Sequence, residues 1–234
     1  MAGSLSGPYR AILFDAGNTL LFLDYPRLAE SVGKALGIPL SAAALAAAAG
    51  PATEAMEGSR AAEQERAVAF FEALFRGAGV PEDRLGELRE CLAALHGERH
   101  LWSRTAVDAP SALSRLRAAG LKLGVVSNSD GRVESALEAA GLREYFDVVI
   151  DSALAGVEKP DPAIFRAALA ALEVSPGEAL YVGDLYEIDV LGARAAGLAA
   201  VLLLDPADTA PDGCRTFATL AALTDDLLQE RVST

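Results

Sequence analysis

The chain contains few cysteines and no long apolar run. Its two cysteines, Cys91 and Cys214, lie far apart without a CxxC spacing, which argues against a disulfide framework or a zinc knuckle. The Ala-rich stretch 42–49 is too short to span a bilayer, since a spanning helix takes roughly 20 apolar residues. No apolar segment follows a basic start at the amino terminus. We therefore predict no membrane partner and a cytoplasmic location.

Positive charge is scarce: 20 Lys and Arg residues face 33 Asp and Glu residues, and the net charge is −13. Such a field repels phosphate backbones, so we do not expect a nucleic-acid partner. It also repels small anions, so an anion site would need strong local positive charge. Hydrophobic residues (52%) and charged residues (23%) are near globular averages, which excludes a disordered chain. The sequence is compatible with a monomer or a homodimer.

The carboxyl-terminal half alternates short apolar strands with amphipathic helices. The strand segments are LKLGVVSN, DVVID, ALYVGD and LAAVLLL. Three helices end in the same Ala-Ala-Gly-Leu signal, at 118–121, 139–142 and 195–198, in which glycine supplies the left-handed turn after the last helical residue. This alternation predicts an α/β fold with a parallel sheet and helices on both of its faces.

One strand of the same type, RAILF at 10–14, lies far upstream. The residues between it and the alternating region show helical patterns and no convincing strand. We therefore predict an α/β core domain formed by 1–24 and 105–234, interrupted by a helical domain at 25–104. Within the core, 205–234 reads as a loop followed by one closing helix.

Polar residues follow each predicted strand, and ligands of open parallel sheets bind beyond the carboxyl ends of the strands. The candidates in chain order are Asp15, Ser127, Asn128, Lys159, Asp184 and Asp189. Taken singly, Asp15 could satisfy a turn and Ser127 could cap a helix. Lys159 is harder to dismiss, because only three of the 20 basic residues are lysines. A compact ammonium suits a single phosphate oxygen or a carboxylate pair.

Four segments taken together, FDAGNTL, VVSN, GVEKPDP and VGDLYEID, resemble the four signatures of the haloacid dehalogenase-like (HAD) hydrolase superfamily. The resemblance covers about 10–204. It implies a Rossmann-like core, and the helical insert resembles the small helical cap of the family. It also implies a phosphatase that acts on a small phosphorylated metabolite.

The resemblance implies a role for each matched residue. Asp15 would be the nucleophile and would form an aspartyl intermediate. Asp15, the backbone carbonyl of Gly17 and Asp184 would hold Mg²⁺. Asp189 would support them through bound water or by orienting Lys159.

The phosphoryl oxygens would be bound by a second set of groups. The resemblance implies for this set Ser127, Asn128, Gly17, nearby backbone amides and Lys159, and it counts Ser127 and Lys159 also as catalytic residues. Mg²⁺ and Lys159 would supply the local positive charge that the acidic chain otherwise lacks.

Gly17 departs from the family pattern, because phosphatases of the family usually carry a second aspartate there as general acid. General acid–base catalysis contributes about 10²- to 10⁴-fold, so hydrolysis should be slow unless the leaving group is good or the cap supplies an acid. Candidate donors in the insert are Glu63, Glu65, His96 and His100. We expect each of these to be an ordinary solvated helix residue.

The missing aspartate leaves two alternatives open. Dehalogenases of the superfamily also lack it, but they carry tyrosine at that position and have no Gly-Asp pair in the fourth signature. This chain has Gly17 and keeps Gly183 and Asp184, which favours the metal-dependent branch. The second alternative is a catalytically degenerate module that binds metal.

Residues of the insert would set substrate specificity. Arg60, Arg66 and Arg104 are candidates for contact with an anionic substrate, and Trp102 for shaping the pocket or anchoring the core. The helical pattern around Arg66 favours a solvated position for its side chain, with Val68, Phe71 and Leu74 on the buried face.

Overall fold

A computed structural model describes residues 7, 9–57, 63–206 and 208–232. The chain divides into two compact units: the first comprises Met1–Phe22 and Arg104–Thr234, and the second comprises Leu23–Ser103. None of the helices in the described ranges is both long and apolar enough to cross a membrane.

Eight strands are present in the described residues: β1 (Ala11–Phe14), β2 (Leu21–Leu23), β3 (Trp102–Thr105), β4 (Lys122–Ser127), β5 (Val148–Asp151), β6 (Ala179–Gly183), β7 (Ala199–Leu203) and β8 (Arg215–Phe217). Six of them form one sheet in the order β5-β4-β1-β6-β7-β8, and every adjacent pair is parallel. β2 and β3 form a separate two-stranded sheet. The chain order reverses around β1, which makes its carboxyl end the expected ligand position.

Ten helices accompany these strands in the described part of the chain: α1 (Tyr25–Leu36), α2 (Ala42–Glu57), α3 (Glu63–Gly77), α4 (Leu85–Glu98), α5 (Ala109–Ala118), α6 (Val133–Ala139), α7 (Ser152–Ala155), α8 (Pro162–Leu172), α9 (Leu191–Ala195) and α10 (Leu220–Val232). The predicted α/β fold class with a parallel sheet is confirmed.

Local chemistry explains where the helices of the first unit begin and end. Asp161 caps α8 by accepting a hydrogen bond from the Ala163 N–H at 2.8 Å, and Pro162 occupies the first turn. The glycines of the three repeated signals have φ angles of 80°, 69° and 91°, at Gly120, Gly141 and Gly197. The predicted helix stops are therefore confirmed.

The sheet is closely packed because its strands are almost wholly apolar. Tyr181 of β6 and Phe165 of α8 are fully buried and meet edge to face, with ring centroids 5.0 Å apart. Gly124 of β4 is required by close approach, since a Cβ there would lie 2.7 Å from the side chains of Leu13 and Val148.

The second unit is helical and has its own apolar core. Leu74 and Phe75 of α3 are completely buried, and so is Leu88 of α4. Asp24 caps α1 by accepting from the Arg27 N–H at 3.2 Å. Trp102 packs against Phe70 and Phe71, with ring centroids 6.4 and 5.4 Å away, and so joins this core.

Two features of the sequence analysis are corrected here. In α3, Phe71 and Leu74 are buried as predicted, but two positions are reversed: Arg66 is 5% exposed, whereas Val68 is 45% exposed. β8 lies in a segment that was predicted to be a loop, and β2 and β3 were not predicted at all. Strands of three or four residues with partly exposed side chains have too little hydrophobic periodicity to be recognised.

Candidate active site

The candidate residues meet at the carboxyl edge of the sheet, where β1 lies between β4 and β6. Phe14, the last residue of β1, is in register with Val125 of β4 and Val182 of β6. Asp15 follows at once, and its N–H donates to the Val182 carbonyl at 2.8 Å. In this register Ser127 and Asp184 each lie two positions beyond the partners of Phe14, so they follow at the same edge of the sheet as Asp15.

Lys159 is the central cation of this cluster. Its side chain is 3% exposed, and Nζ donates to Asp15 Oδ1 at 2.5 Å and to Asp189 Oδ1 at 2.7 Å. The third partner of Nζ is the hydroxyl of Tyr181 at 3.0 Å. An ammonium has three N–H donors, so each can be matched with one of these acceptors.

Asp189 is held on all sides by hydrogen bonds. Its Oδ1 faces Lys159 and the Tyr181 hydroxyl, which is 3.2 Å away. Its Oδ2 accepts from the N–H groups of Asp184 at 3.1 Å and Leu185 at 3.0 Å. Asp189 lies on a π-helical turn, Tyr186–Val190, a distortion that occurs frequently at functional sites.

Gly183 is needed so that Asp189 can approach β6. A Cβ at Gly183 would collide with the carboxyl group of Asp189, so only glycine leaves room for the observed contact. The Gly-Asp pair of the fourth signature thus has a steric reason for its glycine.

Three carboxylates could face a cation at this edge. One carboxylate oxygen from each of Asp15, Asp184 and Asp189 lies within 4.8 Å of the other two. Asp189 already accepts three N–H hydrogen bonds, from Lys159 and from the backbone of Asp184 and Leu185, which leaves Asp15 and Asp184 as the better placed metal ligands. An all-oxygen donor set of this kind suits a hard cation such as Mg²⁺.

The electrostatics of the cluster favour added positive charge. Burial raises the pKa of Asp15 to about 6, and the nearby Asp189 adds to the rise although Lys159 opposes it. Burial and the carboxylates of Asp15 and Asp189 raise the pKa of Asp184 well above its usual value. A hydrogen bond from Asn18 works against that rise. A proton or a cation would relieve this repulsion.

Lys159 stays charged in these surroundings. Burial is the largest influence and lowers its pKa, but the carboxylates of Asp15 and Asp189 outweigh burial, so the pKa lies well above its usual value. The pKa of the Tyr181 hydroxyl is also raised well above its usual value, first by burial and then by Asp189, so Tyr181 stays neutral.

Ser127 and Asn128 end β4 at the same edge. Ser127 is buried, and its hydroxyl lies 3.5 Å from the carbonyl oxygen of Asn128. The carboxamide of Asn128 is directed at the backbone of Lys159: Oδ1 accepts from the Lys159 N–H at 2.7 Å, and Nδ2 donates to the Lys159 carbonyl at 3.0 Å. The side chain predicted to bind phosphate therefore binds the lysine segment in this structure.

The loop after Asn128 is fastened by the end of β5. The Asp151 carboxylate accepts from the N–H groups of Gly131 and Val133 at 3.0 and 3.2 Å. The Ser152 hydroxyl accepts from the Ser129 N–H at 3.0 Å and donates to its carbonyl at 3.2 Å. These contacts fix the backbone amides that follow Ser127.

Sequence reasoning missed three residues of this site. Tyr181 lies in an apolar strand, where an aromatic residue is expected to serve as core, and nothing in the pattern shows where its hydroxyl points. Asp151 and Asn18 were also missed. Asn18 adopts a φ of 51°, which is uncommon for a residue other than glycine. The only sequence signal for it was the Gly17-Asn18 pair, which indicates a turn and does not show what the Asn18 side chain contacts.

The residues proposed from the insert are less informative. Glu65 and Arg104 are exposed. His96 lies in the last turn of α4 and His100 follows the helix, with their ring centroids 4.7 Å apart. Arg60 and the side chain of Glu63 lie outside the described residues.

Comparison with known proteins gives consistent matches. A model of the haloacid dehalogenase-like hydrolase family matches residues 9–197. Haloacid dehalogenase-like hydrolase domain-containing protein 3 of Bos taurus is 35% identical over 208 residues, which cover 84% of this chain and 82% of that protein. A phosphoserine phosphatase of Thermus thermophilus is 38% identical over 152 residues, covering 64% of this chain and 58% of that enzyme. A HAD phosphatase structure from Thermococcus onnurineus has a TM-score of 0.61 at 27% identity, with 93% of this chain and 97% of that chain covered.

Proposed function

The chain belongs to the haloacid dehalogenase-like hydrolase family, and from that membership and the site we propose that it is a Mg²⁺-dependent phosphatase for a small phosphorylated metabolite. The observation that carries the proposal is the short contact of 2.5 Å between Lys159 Nζ and Asp15 Oδ1 inside a cluster of three carboxylates. The lysine keeps Asp15 ionised and therefore nucleophilic. The phosphatase relative from Thermus thermophilus supports a phosphate ester rather than a 2-haloacid as the substrate.

The proposed reaction has two steps. A carboxylate oxygen of Asp15 attacks phosphorus, and the electron pair of the broken P–O bond leaves with the substrate oxygen, which takes a proton from solvent because Gly17 offers no acid. Water then attacks phosphorus, and the electron pair of the P–O bond to Asp15 returns to the carboxylate. Inorganic phosphate leaves and the proton of the attacking water passes to solvent. Both steps concentrate charge on the phosphoryl oxygens.

We assign the groups that hold those oxygens to two sides of the site. Lys159 lies on one side, and Ser127 with the backbone amides after it lies on the other. The loop contacts of Asp151 and Ser152 keep these amides in place before substrate arrives. Donors that are already oriented stabilise developing charge without reorganising.

Asp15, the Gly17 carbonyl and Asp184 are the groups that would hold Mg²⁺. The raised pKa values of Asp15 and Asp184 support this assignment, because both carboxylates are poorly compensated without a cation. When bound, Mg²⁺ neutralises charge on the transferring phosphoryl group. Asp189 supports the site by orienting Lys159.

Turnover of an aryl phosphate with Mg²⁺ tests the proposal. Asp15→Asn should abolish phosphate release, since an amide cannot replace the nucleophile. Asp147→Asn is the matched control, because Asp147 precedes β5 at the opposite edge of the sheet and binds the Leu123 N–H. Undiminished turnover in Asp15→Asn would contradict the proposal.

Two further outcomes identify the alternatives. Halide release from a 2-haloacid in excess EDTA would indicate a dehalogenase that uses the same Asp15. Mg²⁺ binding without turnover across a broad panel of phosphate esters would indicate a degenerate module.

A further inference from the structure

Lys159 lies in a connecting loop between α7 and α8, yet the proposed reaction needs its ammonium at a fixed point. A lysine side chain is long and flexible, and its ordering is entropically costly. Something other than secondary structure must therefore place it. The groups that contact it but do not take part in the chemistry are candidates for that task.

We propose that Asn128 and Tyr181 are positioning residues that place Lys159, one through its backbone and the other through its ammonium. The catalytic part of this inference rests on the proposed function. The contacts of Asn128 and Tyr181 with Lys159 are present whatever reaction the site performs. Asn128 belongs to the end of β4 and Tyr181 to β6, so the two strands flanking β1 together place the lysine of a third segment.

Asn128 fixes the backbone of Lys159 from both sides. Its carbonyl oxygen accepts the Lys159 N–H at 2.7 Å, while its amide nitrogen donates to the Lys159 carbonyl at 3.0 Å. A side chain needs one acceptor and one donor side by side to make this pair, and a primary amide supplies both. A carboxylate would keep the first bond and repel the carbonyl at the second.

Tyr181 fixes the ammonium from the interior of the sheet. Its hydroxyl lies 3.0 Å from Lys159 Nζ and 3.0 Å from the carbonyl of Val126. The hydroxyl can donate its single hydrogen to that carbonyl and accept from the ammonium. The ring is buried against Phe165, so the hydroxyl has little freedom to move away.

Of the three partners of the Lys159 ammonium, the neutral hydroxyl of Tyr181 attracts it least. Hydrogen bonds to charged groups are stronger than those to neutral ones, so Asp15 and Asp189 should keep their contacts when a phosphoryl oxygen arrives. In the free protein the Tyr181 hydroxyl thus accepts the third N–H of Lys159, and a phosphoryl oxygen of the substrate replaces this hydrogen bond. The side chain of Lys159 is thus preorganised, and each N–H of its ammonium has an acceptor.

The small number of lysines makes a direct test possible. The chain has Lys34, Lys122 and Lys159, so ¹⁵N-lysine labelling gives at most three ammonium signals in ¹H–¹⁵N spectra. Lys34→Arg and Lys122→Arg assign them. We expect a Lys159 signal that exchanges slowly with water, because Nζ is buried with three acceptors. Lys122, whose Nζ donates to the Leu172 carbonyl at 2.6 Å, serves as the internal control.

Asn128→Ala and Tyr181→Phe should each shift or broaden the Lys159 signal and leave the Lys122 signal unchanged. Ser152→Ala is the matched control: it removes the same kind of two-way contact from Ser129, next to Asn128, without touching Lys159. Asn128→Asp keeps one of the two hydrogen bonds, and Tyr181→Phe keeps the buried ring. Both variants should therefore fold and allow the test even if Asn128→Ala does not.

Three results would overturn the inference: no slowly exchanging Lys159 signal in the wild type, an unchanged Lys159 signal in both variants, or an equal change in Ser152→Ala. The spectra need no substrate, so a missing phosphatase activity would refute the proposed function and not this inference. With an aryl phosphate, we expect turnover to fall about 10- to 100-fold in Asn128→Ala, as misplacement of a catalytic group does. The inorganic phosphate concentration needed for inhibition should rise in parallel.

Discussion

The stability of the metal-free protein should fall as the pH rises from about 4 to 7, and Mg²⁺ should reverse the loss. The cause is the carboxylate cluster of Asp15 and Asp184, whose pKa values are raised in the folded protein. Between the unfolded and folded pKa values, the folded chain binds more protons than the unfolded chain. Stability from these groups is therefore fully present at low pH and is lost as the pH rises through the folded pKa.

The size of the loss follows from the pKa of Asp15. Burial raises it from 3.8 to about 6, a rise of about 2 units. At about 1.4 kcal/mol per unit, Asp15 alone accounts for about 3 kcal/mol of unfolding free energy over its whole titration, of which roughly 2.5 kcal/mol falls between pH 4 and pH 7. Asp184 shifts in the same direction and adds to the slope. Lys159 remains charged over this range and contributes no slope.

Urea unfolding at a series of pH values, in EDTA and in Mg²⁺, measures this effect. The difference in unfolding free energy between wild type and Asp15→Asn should change by roughly 2.5 kcal/mol between pH 4 and pH 7, since the amide does not titrate. Asp147→Asn, as control, should follow the wild type. Mg²⁺ binds the folded state, so its stabilising effect should grow with pH as protons stop competing for Asp15 and Asp184.

Two observations would refute this reasoning. One is a difference between wild type and Asp15→Asn that stays constant from pH 4 to 7 in EDTA. The other is an Mg²⁺ stabilisation that is larger at pH 5 than at pH 7.5. Either would mean that burial and the neighbouring carboxylates do not raise the pKa values of Asp15 and Asp184 in the folded protein.

Two glycine substitutions give further predictions. Gly17→Asp should restore the missing general acid and raise turnover of alkyl phosphates by up to about 10²-fold, with a smaller gain for aryl phosphates, whose leaving groups need no proton. A leaving-group series measures this, and an equal gain for both classes would contradict it. Gly183→Ala should displace Asp189 and lower turnover at least about 10-fold, because the added Cβ collides with that carboxyl group. Full activity in Gly183→Ala would contradict this prediction, because it would show that turnover does not depend on the observed position of Asp189.

Much of the fold could be predicted because its signals are local. Strands such as β6 are short and wholly apolar, which is the pattern of a sheet buried on both faces. Glycines such as Gly141 stop helices through backbone conformation alone. β8 escaped prediction since its three residues are partly exposed and its pairing with β7 is set by the tertiary fold.

The site was less predictable because its contacts join distant segments. The order of signatures indicated that Asp15, Lys159 and Asp184 would act together, but not which side chains would hold the lysine. The hydroxyl of Tyr181 contacts a residue 22 positions away, and the Asn128 carboxamide contacts one 31 positions away. No periodicity or local propensity encodes such pairs. Which positions of a helix are buried, as Arg66 is in α3, is similarly decided by tertiary packing.

The charge of the cluster explains why a divalent cation is the natural complement of this site. Asp15, Asp184 and Asp189, with the ammonium of Lys159, leave a formal charge of −2 when all four are ionised. A phosphate dianion could not enter such a site in a chain whose net charge is already −13. One divalent cation brings the cluster to neutrality, whereas a monovalent cation leaves a negative charge facing the substrate. Under the proposed function, the placement of Lys159 then matters for two reasons, because the same ammonium would favour the ionised form of Asp15 and would bind the phosphoryl oxygens.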